Sequence, residues 1–255
     1  MSKNIFLQNS SNKHFEITVV GGGLTGCLMI YILIQSQIVG KKKICWVKPK
    51  ENYNFDDRVS FYNRSNYHNL NKFGLLNKLP ANEYNIIKNI EILNECQNKP
   101  LTFTDTDNLG YILKNKYIQE LLLKSSKDVS IIYSKVVKSK VDDYERKLLL
   151  ESGEEITSNI VLAADGSNSH LRNISSIKYF RHNFKHQALT GHLIMKSDSK
   201  NTARQAFLKE GPIGLLPVEY NNNNLINFVW SIKETFANSF TDNNIIKSYL
   251  IKRLN

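Results

Sequence analysis

The sequence predicts an α/β fold in which a parallel sheet, carrying a β-meander excursion, is interrupted by a second domain built on an antiparallel sheet. Three observations carry that prediction. First, a β-branched run, Ile17-Thr18-Val19-Val20, leads directly into Gly21-Gly22-Gly23-Leu24-Thr25-Gly26 and an apolar stretch to about Gln37, after which Lys43 to Val47 reads as another buried strand. Strand, glycine turn, helix and strand make a βαβ unit, and that unit requires a parallel pair. Second, Val129 to Tyr133, Val136 to Val141 and Lys147 to Leu150 are rich in β-formers and are broken at Asp142-Asp143 and Ser152-Gly153, as in an antiparallel meander. Third, strands near Ala188 to Met195, Gly214 to Val218 and Leu225 to Ser231 follow one another in the last third of the chain, in a mostly antiparallel pattern.

In chain order, the first 15 residues are polar and read as a loose tail, with the first strand entered from Glu16. The run from Leu28 to Val39 contains Gln35, Ser36 and Gln37 and falls short of the ~20 apolar residues that span a bilayer, so it predicts a buried helix. No small-residue cleavage site follows it, which argues against a secretory signal. Asn66 to Phe73, stopped by Gly74, predicts a short helix, and Tyr117 to Lys124 predicts another, with Asn115 as its N-cap. Ile86 to Leu93 and Leu101 to Thr104 read as strands between them. Ile160 to Ala164 is an apolar strand that ends on Asp165-Gly166, Asn221 to Asn224 reads as a hairpin loop, and Asn243 to Arg253 reads as a closing helix.

Composition excludes several functional classes. With 255 residues, 41% of them hydrophobic, the chain can bury a sizeable core and is not a disordered polypeptide. The net charge of +11 is mostly lysine spread along the chain, with no arginine-rich stripe interleaved with aromatics, so no nucleic-acid partner is expected. The Lys41-Lys42-Lys43 cluster reads either as a contact for anionic lipid or as a solvated loop. Cys27, Cys45 and Cys96 have no paired spacing, which points away from a disulfide framework or zinc site and toward a reducing cytoplasm. His182, His186 and His192 lie close together without a carboxylate or cysteine at ligand spacing, so no metal is expected. No Ser-His-Asp arrangement stands out, and Cys27, inside an apolar helix, reads as inert; the catalytic residues stay unknown.

Gly21, Gly23 and Gly26 have the G-x-G-x-x-G spacing between a strand and a helix, and with Gly22 they form the candidate dinucleotide-binding turn. The first glycine permits the turn, the second lets backbone approach a pyrophosphate, the third allows close packing of helix on strand, and the helix N-terminus offers N–H groups to the anion. The spacing does not separate FAD from NAD. The end of the second strand should hold an acidic residue for a ribose hydroxyl, yet Lys48 stands there, with Glu51 further on behind the stiff Pro49. Losing that carboxylate would remove one or two charge-assisted hydrogen bonds of about 1.5–3 kcal/mol each. Otherwise Lys48 is simply a solvated strand end. Arg58, in Asp56-Asp57-Arg58, and Asp165-Gly166, in Ala164-Asp165-Gly166-Ser167-Asn168-Ser169-His170-Leu171-Arg172, complete the candidate cofactor residues: a strand-end carboxylate accepts from hydroxyls and an arginine supplies fixed positive charge.

These last two segments resemble the D-x-R-x-x-x-L and D-G-x-x-S-x-x-R motifs of flavoprotein aromatic hydroxylases. Gly110-Tyr111-Ile112-Leu113, Gln205-Ala206-Phe207, Gly211-Pro212-Ile213-Gly214-Leu215-Leu216-Pro217 and Phe228-Val229-Trp230-Ser231 resemble further segments of ubiquinone-biosynthesis monooxygenases of the UbiH type. The resemblance runs from about Ile17 to Ser231. It implies a Rossmann-like FAD-binding domain, at residues 16–75 and 105–178, interrupted by a substrate domain at 76–104 and 179–255, behind a disordered tail at 1–15. It implies FAD as cofactor, with Arg58 near the FAD and Asp165 near its ribityl chain. It further implies hydroxylation of a polyprenylated phenol with O2, and NAD(P)H or another electron donor as cosubstrate. The location implied is cytoplasmic, at the inner-membrane surface, in peripheral membrane contact or in a ubiquinone-biosynthesis complex. The chain departs from the family in Lys48, in Ala163, Ala206, Phe184 and His186, and in having no G-D-A-A-H motif before Asn255. The reading therefore expects about two thirds of the family's length and an incomplete substrate domain. It keeps as an alternative a non-catalytic remnant, or a split-gene N-terminal half, that binds FAD weakly or needs a separate C-terminal half.

Overall fold

The computed structural model describes residues 13–50, 58–80, 83–94, 99–142, 144–194, 201–220, 223–240 and 242–254. In chain order the elements are β1 (Lys13–Val20), α1 (Leu24–Ser36), β2 (Ile44–Lys48), β3 (Val59–Asn63), α2 (Arg64–Lys72), β4 (Tyr84–Ile87), β5 (Asn89–Asn94), β6 (Leu101–Thr104), β7 (Gly110–Lys114) and α3 (Asn115–Lys124). They continue with β8 (Ser130–Tyr133), β9 (Val136–Asp142), β10 (Glu145–Leu150), β11 (Glu155–Ala163), α4 (His170–Ile174), β12 (His186–Ile194), β13 (Thr202–Leu208), β14 (Gly211–Tyr220), β15 (Asn223–Lys233), α5 (Glu234–Ala237) and α6 (Asn243–Leu254). Two compact units emerge, one within 1–54 and 118–179, the other within 55–117 and 180–255.

The first unit is built on a six-stranded sheet in the order β8-β2-β1-β11-β10-β9. The βαβ reading holds: β1 pairs in parallel with β2, and also with β11, while β10 pairs antiparallel with both β9 and β11 as the meander. Strand β1 begins at Lys13, so residues 13–15 of the expected tail are strand, and residues 1–12 lie outside the described ones. Helix α1 buries Cys27, Ile30, Tyr31 and Ile34 and ends on Gln37 in the left-handed conformation, φ 53°. Phe15, Val20, Val47, Leu148, Leu150 and Ile156 belong to one buried cluster, so parallel strands and meander share a core.

In the second unit, β3, β7 and β4 form a three-stranded antiparallel sheet beside a six-stranded one ordered β12-β15-β14-β13-β5-β6. The expected single strand from Ile86 to Leu93 is two strands in two sheets. They part at Lys88, where the Asn201 carbonyl accepts both the Lys88 and Asn89 N–H groups, at 2.9 and 3.0 Å. Val59, Ile87 and Ile112 of the small sheet bury together with Ala203 and Val218 of the large one. By this pairing and packing, 58–75 and 105–117 group with the second unit, although the sequence reading assigned them to the dinucleotide domain. Strand β15 begins at Asn223, so half of the expected Asn221 to Asn224 loop is strand; Asn221, Asn222 and Met195 lie outside the described residues.

Candidate nucleotide-binding cleft

Strand β1 leads through α1 to β2 on one side, while β11 joins its other edge from late in the chain. Connections therefore leave in opposite directions at β1, the point where an open α/β sheet forms a crevice at the carboxyl ends of its strands. A cleft of about 420 Å³ lies there, and Gly21, Gly22, Gly23, Asp165 and Gly166 all line it. Three distant segments are joined at this point: the Gly21 N–H donates to the Val47 carbonyl at 2.9 Å, and the Ala164 N–H to the Val20 carbonyl at 2.8 Å.

The glycine turn shows why its residues are glycines. Gly21 has φ +125°, and a Cβ there would meet the Ala164 carbonyl oxygen at 2.1 Å. A Cβ on Gly26, one turn into α1, would meet the Gly21 carbonyl oxygen at 2.1 Å. A Cβ on Gly23 would meet nothing within 4 Å. Two of the glycines thus serve close packing, and Gly23 leaves room. Gly23 is also the N-cap of α1, which has neither a side-chain cap nor an acidic residue in its first turn. Its leading N–H groups and the positive end of its dipole are arranged as an anion site requires.

Side chains that sequence reasoning did not single out hold this turn. Trp46 Nε1–H donates to the Gly21 carbonyl at 2.8 Å, and Gln119 Nε2–H to the Gly22 carbonyl at 3.1 Å. Cys27 Sγ–H reaches the same Gly22 carbonyl at 3.4 Å. Burial pushes the Cys27 thiol up to about 11, so it stays protonated and unreactive at neutral pH. The only sequence signal for Trp46 was its place in a buried strand. For Gln119, roughly a hundred residues from the turn, there was none.

Asp165 sits at the end of β11. Its Oδ2 accepts the Leu171 N–H at 2.9 Å, which ties the strand end to α4, and its Oδ1 is buried with no hydrogen-bond partner among the described residues. A buried carboxylate oxygen without a partner is costly unless a ligand donates to it. Arg172, the last residue of the D-G-x-x-S-x-x-R motif, donates from Nη2 to the Ser167 carbonyl at 2.9 Å and lies 4.0 Å over the Tyr179 ring. It braces its own loop, while its Nε–H is buried with no hydrogen-bond partner among the described residues. Lys48 is not a solvated strand end: it is 5% exposed, its Nζ is 4.2 Å from the centre of the Trp46 ring, and burial holds its pKa below the usual lysine value. Arg58 belongs to the second unit, exposed and just ahead of β3, with its carbonyl accepting the Asn115 N–H at 3.0 Å. Glu51, Asp56 and Asp57 lie outside the described residues. Among the described residues no three His, Cys, Asp or Glu side chains gather as metal ligands, and His182 packs instead against the rings of Phe180 and Phe184.

Tested against FAD, the cleft fits at two places: the open turn at Gly22-Gly23 for a pyrophosphate, and the orphaned Asp165 Oδ1 for a hydroxyl of the ribityl chain. Lys48 does not offer the acceptor that an adenosine ribose diol uses.

No protein-family model matches the chain. It is 27% identical over 252 residues to the mitochondrial ubiquinone biosynthesis monooxygenase COQ6 of Homo sapiens, covering 89% of this chain and 53% of that protein. It is 25% identical over 230 residues to the ubiquinone hydroxylase UbiM of Neisseria meningitidis, covering 84% of this chain and 49% of that one. Among solved structures it is similar to PqsL, a probable FAD-dependent monooxygenase from Pseudomonas aeruginosa, with a TM-score of 0.76 at 15% identity over 93% of this chain and 66% of that one. It is likewise similar to the p-nitrophenol 4-monooxygenase PnpA of Pseudomonas putida, with a TM-score of 0.72 at 14% identity over 94% of this chain and 62% of that one. The chain resembles ubiquinone-biosynthesis monooxygenases in sequence and has the fold of FAD-dependent monooxygenases. It spans about half the length of the relatives it matches.

Proposed function

We propose that this chain is an FAD-dependent monooxygenase that hydroxylates a polyprenylated phenol or benzoquinone precursor in ubiquinone biosynthesis. The observation that carries this reading is the convergence of Gly21 to Gly23 and Asp165-Gly166 in one cleft at the carboxyl ends of β1 and β11. Similarity to COQ6 and UbiM supplies the substrate class. Bound FAD supplies the redox and oxygen chemistry, with O2 as oxidant and NAD(P)H or another donor as the source of electrons. The chain's own residues bind and orient. Backbone N–H groups at Gly22-Gly23 and the start of α1 take the pyrophosphate, and Asp165 Oδ1 accepts a ribityl hydroxyl. No helix among the described residues is long and apolar enough to cross a membrane. In this reading the chain meets its lipid substrate by peripheral contact with the inner membrane or within a biosynthetic complex.

The test is flavin content. The purified chain is expected to bind FAD stoichiometrically, seen in its visible spectrum and in fluorescence quenching, and Asp165→Ala should weaken that binding at least tenfold. A chain that binds no FAD at millimolar concentration would overturn the reading.

One observation favours a second reading, a non-catalytic chain that binds FAD weakly or acts with a separately encoded C-terminal half. Register places Leu101, Phe103, Phe207 and Val229 on one face of the large sheet, and they are 38–56% exposed. An apolar face of that kind is normally covered by substrate or by protein. Oxygen consumption with a prenylphenol by the FAD-loaded chain alone would decide for the first reading, and activity only after adding a second polypeptide would decide for the second.

A further inference from the structure

The small sheet of the second unit carries its tyrosines on one face. Register sets Tyr62 opposite Tyr111, and Tyr111 opposite Ile86, which lies two residues along β4 from Tyr84. Tyr62, Tyr84 and Tyr111 therefore share one side of the sheet, while Ile87 and Ile112, on the other side, pack with Ala203 and Val218 of the large sheet. Helix α2 packs against β3 and β7 and lays Tyr67 on Tyr111, with ring centres 3.5 Å apart and planes 12° from parallel. Tyr84 meets the Tyr111 ring edge-on, at 6.0 Å and 65°.

Aromatic pairs ordinarily sit about 4.5–7 Å apart, offset or edge to face. Tyr67 and Tyr111 overlap almost face on, so carbons of one ring lie at about van der Waals distance, 3.5–4 Å, from carbons of the other. Phenylalanine would serve the apolar packing equally well. What tyrosine adds is a phenol, which gives up an electron and a proton together. Burial, and then Tyr111 and Tyr84 beside it, hold the Tyr67 phenol above the usual tyrosine value, so at neutral pH it keeps its proton until the electron leaves.

We propose that Tyr67 and Tyr111 form an oxidative cross-linking site, at which a diffusible one-electron oxidant joins the two rings through a carbon–carbon bond and staples α2 to β7. Each phenol yields one electron to the oxidant and one proton to water, which leaves two phenoxyl radicals in contact. They combine at ring carbons adjacent to the oxygens, and the hydrogen on each of those carbons moves to an oxygen to restore the aromatic ring. The pair loses two electrons and two protons in all, and two equivalents of oxidant are reduced. The coupling needs no bound cofactor. The new bond closes the loop between positions 67 and 111, which restricts the unfolded chain in the way a disulfide does.

The test is a brief light pulse on the purified chain with tris(bipyridine)ruthenium(II) and persulfate, each persulfate taking two electrons to become two sulfate ions. The product is mapped by digestion and mass spectrometry. The expected result is a monomeric chain lighter by two hydrogens, with dityrosine fluorescence and one linked peptide pair that holds Tyr67 and Tyr111. Tyr144, 97% exposed, provides the comparison, because coupling through exposed phenols joins separate chains and declines on dilution, whereas the internal link does not. Tyr67→Phe and Tyr111→Phe keep the ring and remove the phenol, and each should abolish the monomeric signal, while Tyr144→Phe should leave it. The linked chain should unfold at higher denaturant concentration than the unlinked one. A monomeric signal that survives in Tyr67→Phe, a link that maps to another pair, or a linked chain no harder to unfold overturns the inference. Should either phenylalanine variant fail to fold, the peptide map of the wild type decides alone.

Discussion

The indole N–H of Trp46 donates to the carbonyl of Gly21 across 2.8 Å, from a ring that is wholly buried. The bond fixes the peptide that opens the glycine turn, and with it the direction in which the next N–H groups point. Trp46→Phe keeps most of the apolar volume and removes the donor. An unsatisfied buried carbonyl costs about 1–3 kcal/mol, so this variant should unfold at lower denaturant concentration by that amount, with an unchanged m value. Its affinity for FAD should fall as well, because a looser turn must be ordered by the ligand.

Gly23 and Gly26 should respond oppositely to the same methyl group. Gly26→Ala places a Cβ 2.1 Å from the Gly21 carbonyl oxygen, so backbone must move and the fold is expected to lose about 1–3 kcal/mol. Gly23→Ala meets open space at φ −70°, and thermal unfolding should change by less than about 0.5 kcal/mol. Yet that methyl stands where a pyrophosphate would approach, so Gly23→Ala should weaken FAD binding at least about tenfold. Normal FAD affinity in a well-folded Gly23→Ala would show that the pyrophosphate lies elsewhere.

Asp165 separates a structural role from a binding role on one side chain. Asp165→Asn still presents an oxygen to the Leu171 N–H and should be near neutral for stability, while losing the charge that strengthens a bond to a ligand hydroxyl. Asp165→Ala removes the anchor of α4 too, and should cost about 1–3 kcal/mol. Calorimetric unfolding and FAD titration of the two variants should therefore diverge: the alanine variant loses both, the asparagine variant chiefly affinity.

The glycine spacing and the Asp165-Gly166 strand end were legible in the sequence because each follows from a local backbone requirement. The residues that hold them were not. Burial of Trp46 follows from a β-rich run, but its hydrogen bond depends on how β2 and the turn meet in space, and Gln119 arrives on α3 from far along the chain. Ile86 to Leu93 reads as one strand because a β-rich run carries no mark of a change of sheet, which here is set by the Asn201 carbonyl at Lys88. Nor does the motif's spacing show that Arg172 braces its own loop through the Ser167 carbonyl and the Tyr179 ring, since both contacts depend on how that loop folds back. Lys48, read as a solvated end, is covered because Trp46 and Tyr133 flank it.

The alkaline limb of the stability curve should report the two buried thiols. Burial raises Cys27 to about 11 and Cys45 to about 12, with Lys48 acting on the first and Glu154 and Lys13 on the second. A folded pKa above the unfolded value means that the unfolded state releases its proton first. The stabilisation is complete below about pH 8.5, the ordinary thiol pKa, and is lost as pH rises toward 11 for Cys27, at about 1.4 kcal/mol per pH unit. Tyr62 and Tyr67, raised by burial, and Lys48, lowered by it, titrate in the same region, so the isolating measurement is a difference. Denaturant unfolding of the wild type and of Cys27→Ala between pH 8 and 10.5 should give curves that converge as pH rises, by about 2–2.5 kcal/mol across the window. Curves that stay parallel would mean that Cys27 ionises as easily in the folded chain as in the unfolded one, and that the floor of the glycine turn is open to water.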